Sequence, residues 1–393
     1  MNSIFTVNGG SSSLKCALFC SKGEHPELLY SFKISNILGQ PRAQISNRQG
    51  ERIADLAPDF AGIDRDDRHQ ACLDLVFAWI RAHAGEQTLL AISHRVVHGG
   101  AVFSAPVVVD DAALEQLRRF IPLAPLHQPY NLKLIEACRR LLPEVPQVAC
   151  FDTMFHSDMP RVASLFALPR ELSESGVRRY GFHGLSYEYI QRQLELRGAG
   201  ALKTVVGHLG AGVSLCAIKA GRSITSTMGF TALEGPPMGS RCGSIDPGVL
   251  LYLMREKAMD VDALEHLLYK ESGWLGVSGG ISSEMAELLA SDQPEAREAV
   301  ELFGYRVARE VGSLSAALEG LEQIVFTGGV GENSAEIRAD ICARSQWLGV
   351  QIDAHANRAN AEIISTPDSL VKVRVIPTDE ERMLALHGME MLA

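Results

Sequence analysis

The residues with the clearest potential for chemistry lie in two glycine-containing motifs in the middle of the chain. The first reads YGFHG at residues 180–184, and the second reads GHLGAGVS at residues 207–214. Glycines allow a backbone to turn tightly enough for several N–H groups to reach one anion, and a histidine can add a side-chain hydrogen bond. We interpret the first motif as the place where a small acid is held and the second as a turn that wraps phosphate.

A related turn lies near the N-terminus. The sequence NGGSSS at residues 8–13 separates two apolar runs, at 4–7 and 14–19, which is the pattern of strand, turn and strand. Its glycines and serines could bring N–H groups and hydroxyls to an anion, although an ordinary hairpin turn has the same composition.

Charged side chains follow two predicted strands. Arg95 follows a strand expected at 89–93, and Asp152 follows one expected at 145–150. Ligands gather at strand ends in open α/β sheets. Arg95 is therefore expected to hold an anion or a structural carboxylate, and Asp152 is a candidate for a metal or phosphate site or for a helix cap.

A third glycine segment, GGVGENS at residues 328–334, lies between a predicted strand at 324–327 and a helix. Strand, glycine turn and helix N-terminus together suit a nucleotide, although the segment is not a G-x-G-x-x-G motif and the chain has no Walker A sequence. A long Gly/Pro loop at 235–248 carries Arg241 as its one arginine.

The elements that must position these residues follow from periodicity and turn residues. We expect helices at 71–84, 111–120 and 296–318 and a terminal helix after 377, and further strands at 204–209, 213–219 and 371–376. Residues 40–68 are polar and are expected to form strand-poor surface structure. Because the strand, glycine turn and strand pattern occurs twice at domain scale, we predict two α/β halves related by duplication.

Composition limits the possible classes of protein. The 393 residues suggest two domains, and 46% apolar with 21% charged residues is typical of a soluble globular protein. The net charge of −10 argues against nonspecific nucleic-acid binding. The eight cysteines are scattered, as core thiols of a cytoplasmic protein would be, and neither a signal peptide nor a membrane span is expected.

Taken in order, these motifs resemble those of the acetate kinase family, the acetokinases, which includes acetate, propionate and butyrate kinases. The matching stretches cover nearly the whole chain, at residues 8–15, 94–100, 124–131, 151–156, 180–184, 207–214, 327–333 and 377–381. The resemblance implies the α/β fold of the actin and sugar-kinase superfamily, with two duplicated actin-like (ribonuclease H-like) domains and a central cleft. The implied domains are 1–150 with a C-terminal helix at 381–393, and 151–380, which would bind nucleotide and dimerise.

The activity implied by the resemblance is reversible, direct in-line phosphoryl transfer between ATP and a short-chain carboxylate, giving an acyl phosphate such as acetyl phosphate, and ADP. Mg²⁺ or Mn²⁺ would be required, and the enzyme would be a cytoplasmic homodimer. The chemistry agrees, because a carboxylic acid is already ionised at pH 7 and needs no general base. The enzyme must instead bring two anions together with cationic clamps, a metal and aimed donors.

The resemblance also assigns roles residue by residue. The catalytic residues would be Arg95, His127, Asp152, His183 and Arg241, and the metal ligands would be Asn8 and Glu380. The phosphates and adenosine would be bound by Ser11, Ser13, Lys15, His208, Leu209, Gly210, Ala211, Gly212, Gly329, Gly331 and Asn333. The acid would lie between Arg95 and an alkyl pocket of Val97, Leu126, Phe182 and Ala232.

Four positions depart from the family pattern. Ala211 replaces an asparagine, Ser244 replaces an aspartate, and the adenosine segment at 282–286 lacks its arginine. Ala232 replaces a proline, which removes bulk from the alkyl pocket, where one methylene is worth about 1–3 kcal/mol.

These departures keep two alternatives open. The first is the same fold with another acid or donor, such as a propionate or butyrate kinase or a diphosphate-linked enzyme. The second is a nucleotide-binding module that hydrolyses ATP without an acyl acceptor. Arg95, His183 and Arg241 argue against the second alternative, because those roles serve an acyl phosphate.

Overall fold

The computed structural model describes residues 1–10, 12–22, 25–60, 62–65 and 67–392. The chain forms two compact units, one of Met1–Met154 with Asp379–Ala393 and one of Phe155–Thr378. We call them unit 1 and unit 2. The boundaries expected from the sequence, after residues 150 and 380, stay a prediction about domains.

The strands of unit 1 form an eight-stranded sheet within the described residues. They are β1 (Asn2–Gly9), β2 (Leu14–Lys22), β3 (His25–Ser35), β4 (Arg42–Asn47), β5 (Arg52–Leu56), β6 (Thr88–Val96), β7 (Val107–Val108) and β8 (Gln147–Phe151). The order across the sheet is β5-β4-β3-β2-β1-β6-β8-β7. Strands β1 to β5 pair antiparallel in sequence, whereas β6 runs parallel to β1 and β8 parallel to β6.

Unit 2 has a five-stranded sheet in its described part. Its strands are β9 (Thr204–Leu209), β10 (Val213–Lys219), β11 (Arg222–Ser226), β12 (Gln323–Thr327) and β13 (Lys372–Val375), in the order β11-β10-β9-β12-β13. Three strands are antiparallel and the last two are parallel to β9. The strands β3-β2-β1-β6-β8 of unit 1 repeat this order and these directions, which confirms the predicted duplication.

Helices pack around both sheets. In chain order they are α1 (Arg68–His83), α2 (Asp111–Arg118), α3 (Gln128–Leu141), α4 (Arg161–Ser164), α5 (Arg170–Glu174), α6 (Gly184–Leu196), α7 (Pro247–Glu256), α8 (Val261–Lys270), α9 (Gly273–Val277), α10 (Met285–Leu289), α11 (Pro294–Ala317), α12 (Gly328–Asn333), α13 (Ala335–Arg344), α14 (Ala354–Arg358) and α15 (Glu380–Glu390). Short 3-10 helices lie at Ile121–Leu123, Met154–His156 and Gln346–Leu348.

The predicted helices are confirmed, and their apolar stripes explain them. In α11 the side chains of Phe303, Val307, Val311 and Leu314 are buried along one face at helical spacing. Asp110 caps the start of helix α2, because its side chain accepts a hydrogen bond from the N–H of Ala113. No helix in the part of the chain that the structure describes is long and apolar enough to cross a membrane.

The expectation for residues 40–68 was wrong, because β4 and β5 lie there and extend the sheet of unit 1. Ala43 and Ile45 alternate with polar residues in β4 and are buried in the core. A strand that is half exposed needs only one apolar face, so the polar composition of this region concealed it.

Candidate active site

Arg95 lies near the end of β6 and is paired with Asp152, the first residue after the neighbouring parallel strand β8. The guanidinium makes two bonds to the carboxylate, from Nε to Oδ1 at 2.9 Å and from Nη2 to Oδ2 at 2.6 Å. Its Nη1 also donates to Oδ1 of Asn8 at 3.1 Å. Of the two partners expected for Arg95, the structure shows the carboxylate, in the strong bidentate geometry.

Two further carboxylates complete a group that we call the Arg95 cluster: Asn8, Arg95, Asp152, Glu380 and Glu381. Nδ2 of Asn8 lies 3.5 Å from Glu380 Oε2 and 3.4 Å from Glu381 Oε1. Both glutamates are at the start of α15, which brings the end of the chain back to β1. The sequence-based assignment included Glu380 but missed Glu381, although the two are adjacent.

Charge in the Arg95 cluster is unbalanced. Burial, reinforced by neighbouring carboxylates, raises the pKa of Glu380 and of Glu381. Burial alone would lower the pKa of Arg95, but Asp152 and the two glutamates raise it above its ordinary value. Three carboxylates therefore share two nearby cations, Arg95 and Lys15.

This excess of carboxylate oxygens fits a divalent cation. Mg²⁺ is usually held by one or two carboxylates, with water and substrate phosphates filling its other positions. Within the described ranges, no group of three or more His, Cys, Asp or Glu side chains is arranged as a metal cage.

The loop after β6 is fixed by the first turn of α3. The N–H of Val97 donates to Oδ1 of Asn131 at 3.0 Å, and Nδ2 of Asn131 donates to the carbonyl of Gly9 at 3.0 Å. One side chain thus joins Val97, which is predicted to line the alkyl pocket, to the end of β1. Leu126 and His127 are half-buried in the turn directly before α3.

The turn between β1 and β2 is only partly described. The N–H of Gly10 donates to the carbonyl of Ser13 at 2.8 Å. Ser13 and Lys15 are exposed, so they are accessible to an anion. Ser11, also assigned to this turn, lies outside the described residues.

In unit 2, two predicted histidines lie against each other. The rings of His183 and His208 stack with centroids 4.3 Å apart. Nδ1 of His183 lies 2.8 Å from Ser214 Oγ, and Nδ1 of His208 lies 2.9 Å from Ser186 Oγ. The β9–β10 hairpin therefore supplies one histidine and the hydroxyl that holds the other.

The YGFHG motif has an unusual backbone. Gly181 and His183 have φ values of 80° and 56°. A Cβ at residue 181 would lie 2.5 Å from the ring of His156, so this position requires glycine. His156 Nε2 is 2.9 Å from the carbonyl of the buried Phe182, which fixes the segment directly before α6.

Arg241 meets His183 at the glycine turn of the same hairpin. A Cβ built on Gly212 would lie 2.9 Å from Arg241 Nη2 and 3.2 Å from His183 Nε2. Nη1 of Arg241 donates to the carbonyl of Ala232 at 2.6 Å. The structure thus brings together Arg241, His183, Gly212 and Ala232, from three separate segments of the sequence.

A cavity of about 670 Å³ opens beside this turn, and we call it the α12 cavity. Its lining residues are Gly210, Ala211, Glu284, Met285, Ala286, Leu289, Gly329, Val330, Asn333, Ser334, Ala335 and Glu336. Of the other assigned residues, Gly331 is buried against Leu209 in the same turn region.

Two residues that were not predicted from the sequence, Glu332 and Arg338, stabilise the turn of α12 through hydrogen bonds. Oε1 of Glu332 accepts from the N–H groups of Gly328 at 2.8 Å and Thr378 at 3.1 Å. The fully buried Arg338 donates to the carbonyls of Gly331 at 2.8 Å and Glu332 at 2.9 Å. No motif marks Arg338, because a single arginine in a helix usually lies on the surface.

Comparison with known proteins gives a consistent result. The sequence profile described as the Acetokinase family matches residues 3–386. An acetate kinase of Rhodopseudomonas palustris is 51% identical over 392 residues, which covers 98% of this chain and 97% of the relative.

Two solved structures are also similar. The acetate kinase of Porphyromonas gingivalis has 34% identity and a TM-score of 0.88, with 100% of both chains covered. A propionate kinase from Francisella tularensis has 34% identity and a TM-score of 0.89, with 98% of this chain and 99% of that chain covered.

Proposed function

The chain belongs to the acetokinase family and has its two-domain actin-like α/β fold, and we propose that it transfers a phosphoryl group reversibly between ATP and a short-chain carboxylate, with acetate as the first candidate. The observation that carries the proposal is the meeting of Arg241 Nη2 and His183 Nε2 at the Gly212 turn, beside the α12 cavity. We propose that the phosphates of a nucleotide in that cavity would end at these two donors.

With a carboxylate as the acceptor, the protein has to supply little more than positive charge and correctly positioned donors. An ionised carboxylate is itself the nucleophile, so no group has to remove a proton. Arg95 would bind that carboxylate, while Arg241 and His183 would donate to the oxygens of the transferring phosphoryl group. Donors already fixed in place stabilise charge that develops in the transition state without reorganising. Transfer would be direct, without a phosphoenzyme.

The metal requirement is part of this proposal. Asn8 and Glu380 would hold Mg²⁺ or Mn²⁺, with Asp152 and Glu381 close by. When bound, the ion would neutralise charge on the phosphate oxygens. Asp152 also holds the Arg95 guanidinium in one orientation through two hydrogen bonds, which orients the carboxylate clamp before substrate arrives.

The α12 cavity favours a nucleotide over diphosphate as the donor. Its apolar side chains, among them Met285, Leu289 and Val330, suit the faces of a base, which diphosphate lacks. The carboxylates of Glu284 and Glu336 at the same cavity would repel an anionic group in the place of the base, but they could accept hydrogen bonds from a base. No arginine takes part in this lining, so contact with the base would depend on packing.

Ala232 bears on the choice of acid. Its carbonyl accepts a hydrogen bond from Arg241, so residue 232 is held next to a predicted catalytic arginine. An alanine there leaves more room than a proline, and we propose that propionate is accepted as well as acetate.

We further propose a cytoplasmic homodimer that forms through unit 2. Helix α7 has no buried residue, yet Val249, Leu251, Tyr252 and Met254 on it are apolar and exposed. A second copy of this face would cover them. All eight cysteines are free thiols and seven are buried, as in a reducing compartment. The mass of the native protein in light scattering tests the dimer, and Leu251→Glu should convert it to a monomer.

The decisive test of activity is acyl-phosphate formation, trapped as the hydroxamate, with ATP and Mg²⁺ against acetate, propionate and butyrate in parallel. A signal with acetate, propionate or both supports the proposal. A peak at butyrate would mean that the pocket is wider than Ala232 alone implies. Absence of product with every acid, together with acid-independent ATP hydrolysis, would overturn the proposal in favour of a simple ATPase.

A further inference from the structure

A buried side chain in unit 1 links two segments that carry predicted site residues. The amide of Asn131, which is 2% exposed, accepts from the N–H of Val97 and donates to the carbonyl of Gly9, each at 3.0 Å. Val97 is predicted to line the alkyl pocket, and Gly9 directly follows the predicted metal ligand Asn8. We call the Asn131 side chain with these two hydrogen bonds the amide bridge.

The amide bridge extends the connection between two neighbouring strands. Strands β1 and β6 run parallel, and the last partners described for them are Val7 and His94. Gly9 and Val97 lie beyond that pair, towards the carboxyl ends of the strands. An amide side chain offers the same donor and acceptor as a peptide group. Asn131 therefore joins the two strand ends past their last described backbone pair, and the separation of these ends depends on one side chain.

The same side chain fixes the start of helix α3. The backbone N–H of Asn131 donates to the carbonyl of His127 at 3.2 Å, in the first turn of this helix. Leu126 and His127 lie directly before α3 and are predicted to take part in the acid pocket and in catalysis. Helix α3 also approaches β1 closely, because a Cβ on Gly9 would clash with Leu134. The amide bridge therefore holds three segments with predicted site residues in one arrangement.

Neighbouring side chains hold the rest of the loop after β6. Oε1 of Gln128 accepts from the N–H of His98 at 3.2 Å, and its Nε2 donates to the carbonyl of His98 at 3.1 Å. Oγ1 of Thr153 accepts from the N–H of Gly99 at 3.1 Å. These contacts tie the loop to α3 and to the segment after β8, whereas the amide bridge ties it to β1. Removing the amide bridge should therefore release the loop from β1 without unfolding it.

We propose that Asn131 is a positioning residue that sets the size of the acid pocket, because the amide bridge keeps Val97 at a fixed distance from β1 and from the start of α3. With the bridge intact, Val97 and Leu126 cannot move apart to admit a longer acid. One methylene in an apolar pocket changes discrimination by about 10–200-fold, so a small movement of one wall alters the preference. This inference rests on the proposed function for the choice of acid, whereas the bridge itself can be tested without substrate.

The test is the acid preference of Asn131→Ala, measured as acyl-phosphate formation with acetate, propionate and butyrate. We expect kcat/KM for butyrate relative to acetate to rise about tenfold, because the freed wall yields to the longer chain. KM for acetate should rise, while KM for ATP should stay close to its unsubstituted value, since the α12 cavity is formed by other segments. An unchanged acid preference in a folded Asn131→Ala variant would overturn the proposal.

Asn131→Leu separates the loss of the hydrogen bonds from the loss of side-chain volume. Leucine has the branched shape of asparagine but neither its donor nor its acceptor. The acid preference should therefore shift towards butyrate in this variant as well. It also provides the test if Asn131→Ala does not fold, and an acid preference equal to that of the unsubstituted protein would contradict the proposal.

Asn357 in unit 2 is a matched control. It is 3% exposed, its Oδ1 accepts from Nε of Arg338 at 2.8 Å, and its Nδ2 donates to the carbonyl of Ala335 at 2.7 Å. Asn357→Ala thus removes the same kinds of bond from a buried amide, so it should lower Tm but leave the acid preference unchanged. An equal shift in acid preference in Asn357→Ala and Asn131→Ala would assign the effect to lost stability and overturn the proposal.

Hydrogen exchange of the substrate-free protein tests the amide bridge independently of turnover. In Asn131→Leu, amides at the end of β1 and in the loop after β6 should both exchange faster, after correction for intrinsic rates. If the unsubstituted protein forms no acyl phosphate with any acid, the proposed function fails, while exchange still tests the bridge. Unchanged protection of both segments in Asn131→Leu would overturn the amide bridge as the device that fixes them.

Discussion

The hairpins β1–β2 and β9–β10 occupy equivalent places in the two sheets, yet they carry different chemistry. Near the turn of the first, Asn8 lies opposite Lys15, and near the turn of the second, His208 lies opposite Ser214. The first pair belongs with carboxylates and an arginine, and the second with hydroxyls and imidazole rings. The duplicated fold thus preserves the geometry of a strand end while the chemistry at that position diverges.

This difference should determine how each unit tolerates substitution. Side chains in the Arg95 cluster are held by opposite charges in a buried site, so removing one leaves another uncompensated. Side chains around His183 and Arg241 are held largely by hydroxyls and carbonyls, whose loss costs less. Paired substitutions in the two units test that contrast, beginning with the largest expected effect.

Arg95→Ala and Arg241→Ala should each lower kcat by about 10³-fold or more, as removal of a transition-state arginine does. Their stability should differ. Arg95→Ala leaves Asp152 buried without its partner, a loss of about 3 kcal/mol, whereas Arg241→Ala takes a donor from the carbonyl of Ala232. Thermal unfolding measures this difference, and Asp152→Asn added to Arg95→Ala should recover Tm but not activity. Equal Tm losses in the two single variants would remove the contrast.

Gly212→Ala and Gly10→Ala compare the two turns directly. A Cβ at residue 212 meets Arg241 Nη2 at 2.9 Å, whereas one at residue 10 meets the exposed Ser13 Oγ at 3.2 Å, which can rotate away. We expect kcat to fall about 100-fold in the first variant, in line with a small misplacement of catalytic groups, and less than tenfold in the second. Steady-state kinetics measures kcat of both variants, and circular dichroism is the control for folding. A larger loss in Gly10→Ala would reverse the assignment.

Two buried histidines make unit 1 sensitive to acid. Burial lowers the pKa of His94 and of His98 to about 4. The unfolded chain therefore binds more protons than the folded one between pH 6.5 and 4, and stability should fall as the pH drops through that window. The loss is up to about 3 kcal/mol for each histidine.

The measurement is the pH dependence of Tm, and His94→Gln should flatten it because that side chain cannot titrate. Hydrogen exchange of β6 peptides, corrected for intrinsic rates, locates the effect. An acid response identical in His94→Gln and in the unsubstituted protein would exclude His94 as a source.

The smallest effect is expected from Glu381→Gln. Burial and the neighbouring Glu380 raise the pKa of Glu381, so its charge opposes folding when no cation is present. Gln keeps the oxygen that accepts from Asn8. Without Mg²⁺ we expect the free energy of unfolding to rise by about 1 kcal/mol, and Tm to rise with it. The further rise in Tm on adding Mg²⁺ should be smaller than in the unsubstituted protein. A lower Tm in both conditions would show that the carboxylate charge stabilises unit 1.

The sequence predicted most of the strands and long helices, because periodicity and turn residues are local properties. Strands at 204–209 and 213–219 were predicted to the residue, whereas β4 and β5 were missed. The glycine motifs indicated where anions could bind, and the family resemblance supplied the roles that these motifs alone left open.

What could not be predicted is which side chains meet. Glu381 joins Asn8 only because α15 packs on β1, and Ser214 joins His183 only because α6 packs on β9, the strand that pairs with β10. Such pairs depend on tertiary packing between segments far apart in sequence. Arg338 illustrates the same limit, since its five hydrogen bonds all follow from burial that its helix pattern did not indicate.

Helix α15 has a consequence for biosynthesis. It is the last element of the chain, yet it belongs to unit 1, where Gly388 packs against Ser93 and Ile4. A ribosome has therefore made all of unit 2 before unit 1 can be completed, and Glu380 can reach Asn8 only after that point. The Arg95 cluster can therefore form only after every residue of unit 2 has been synthesised.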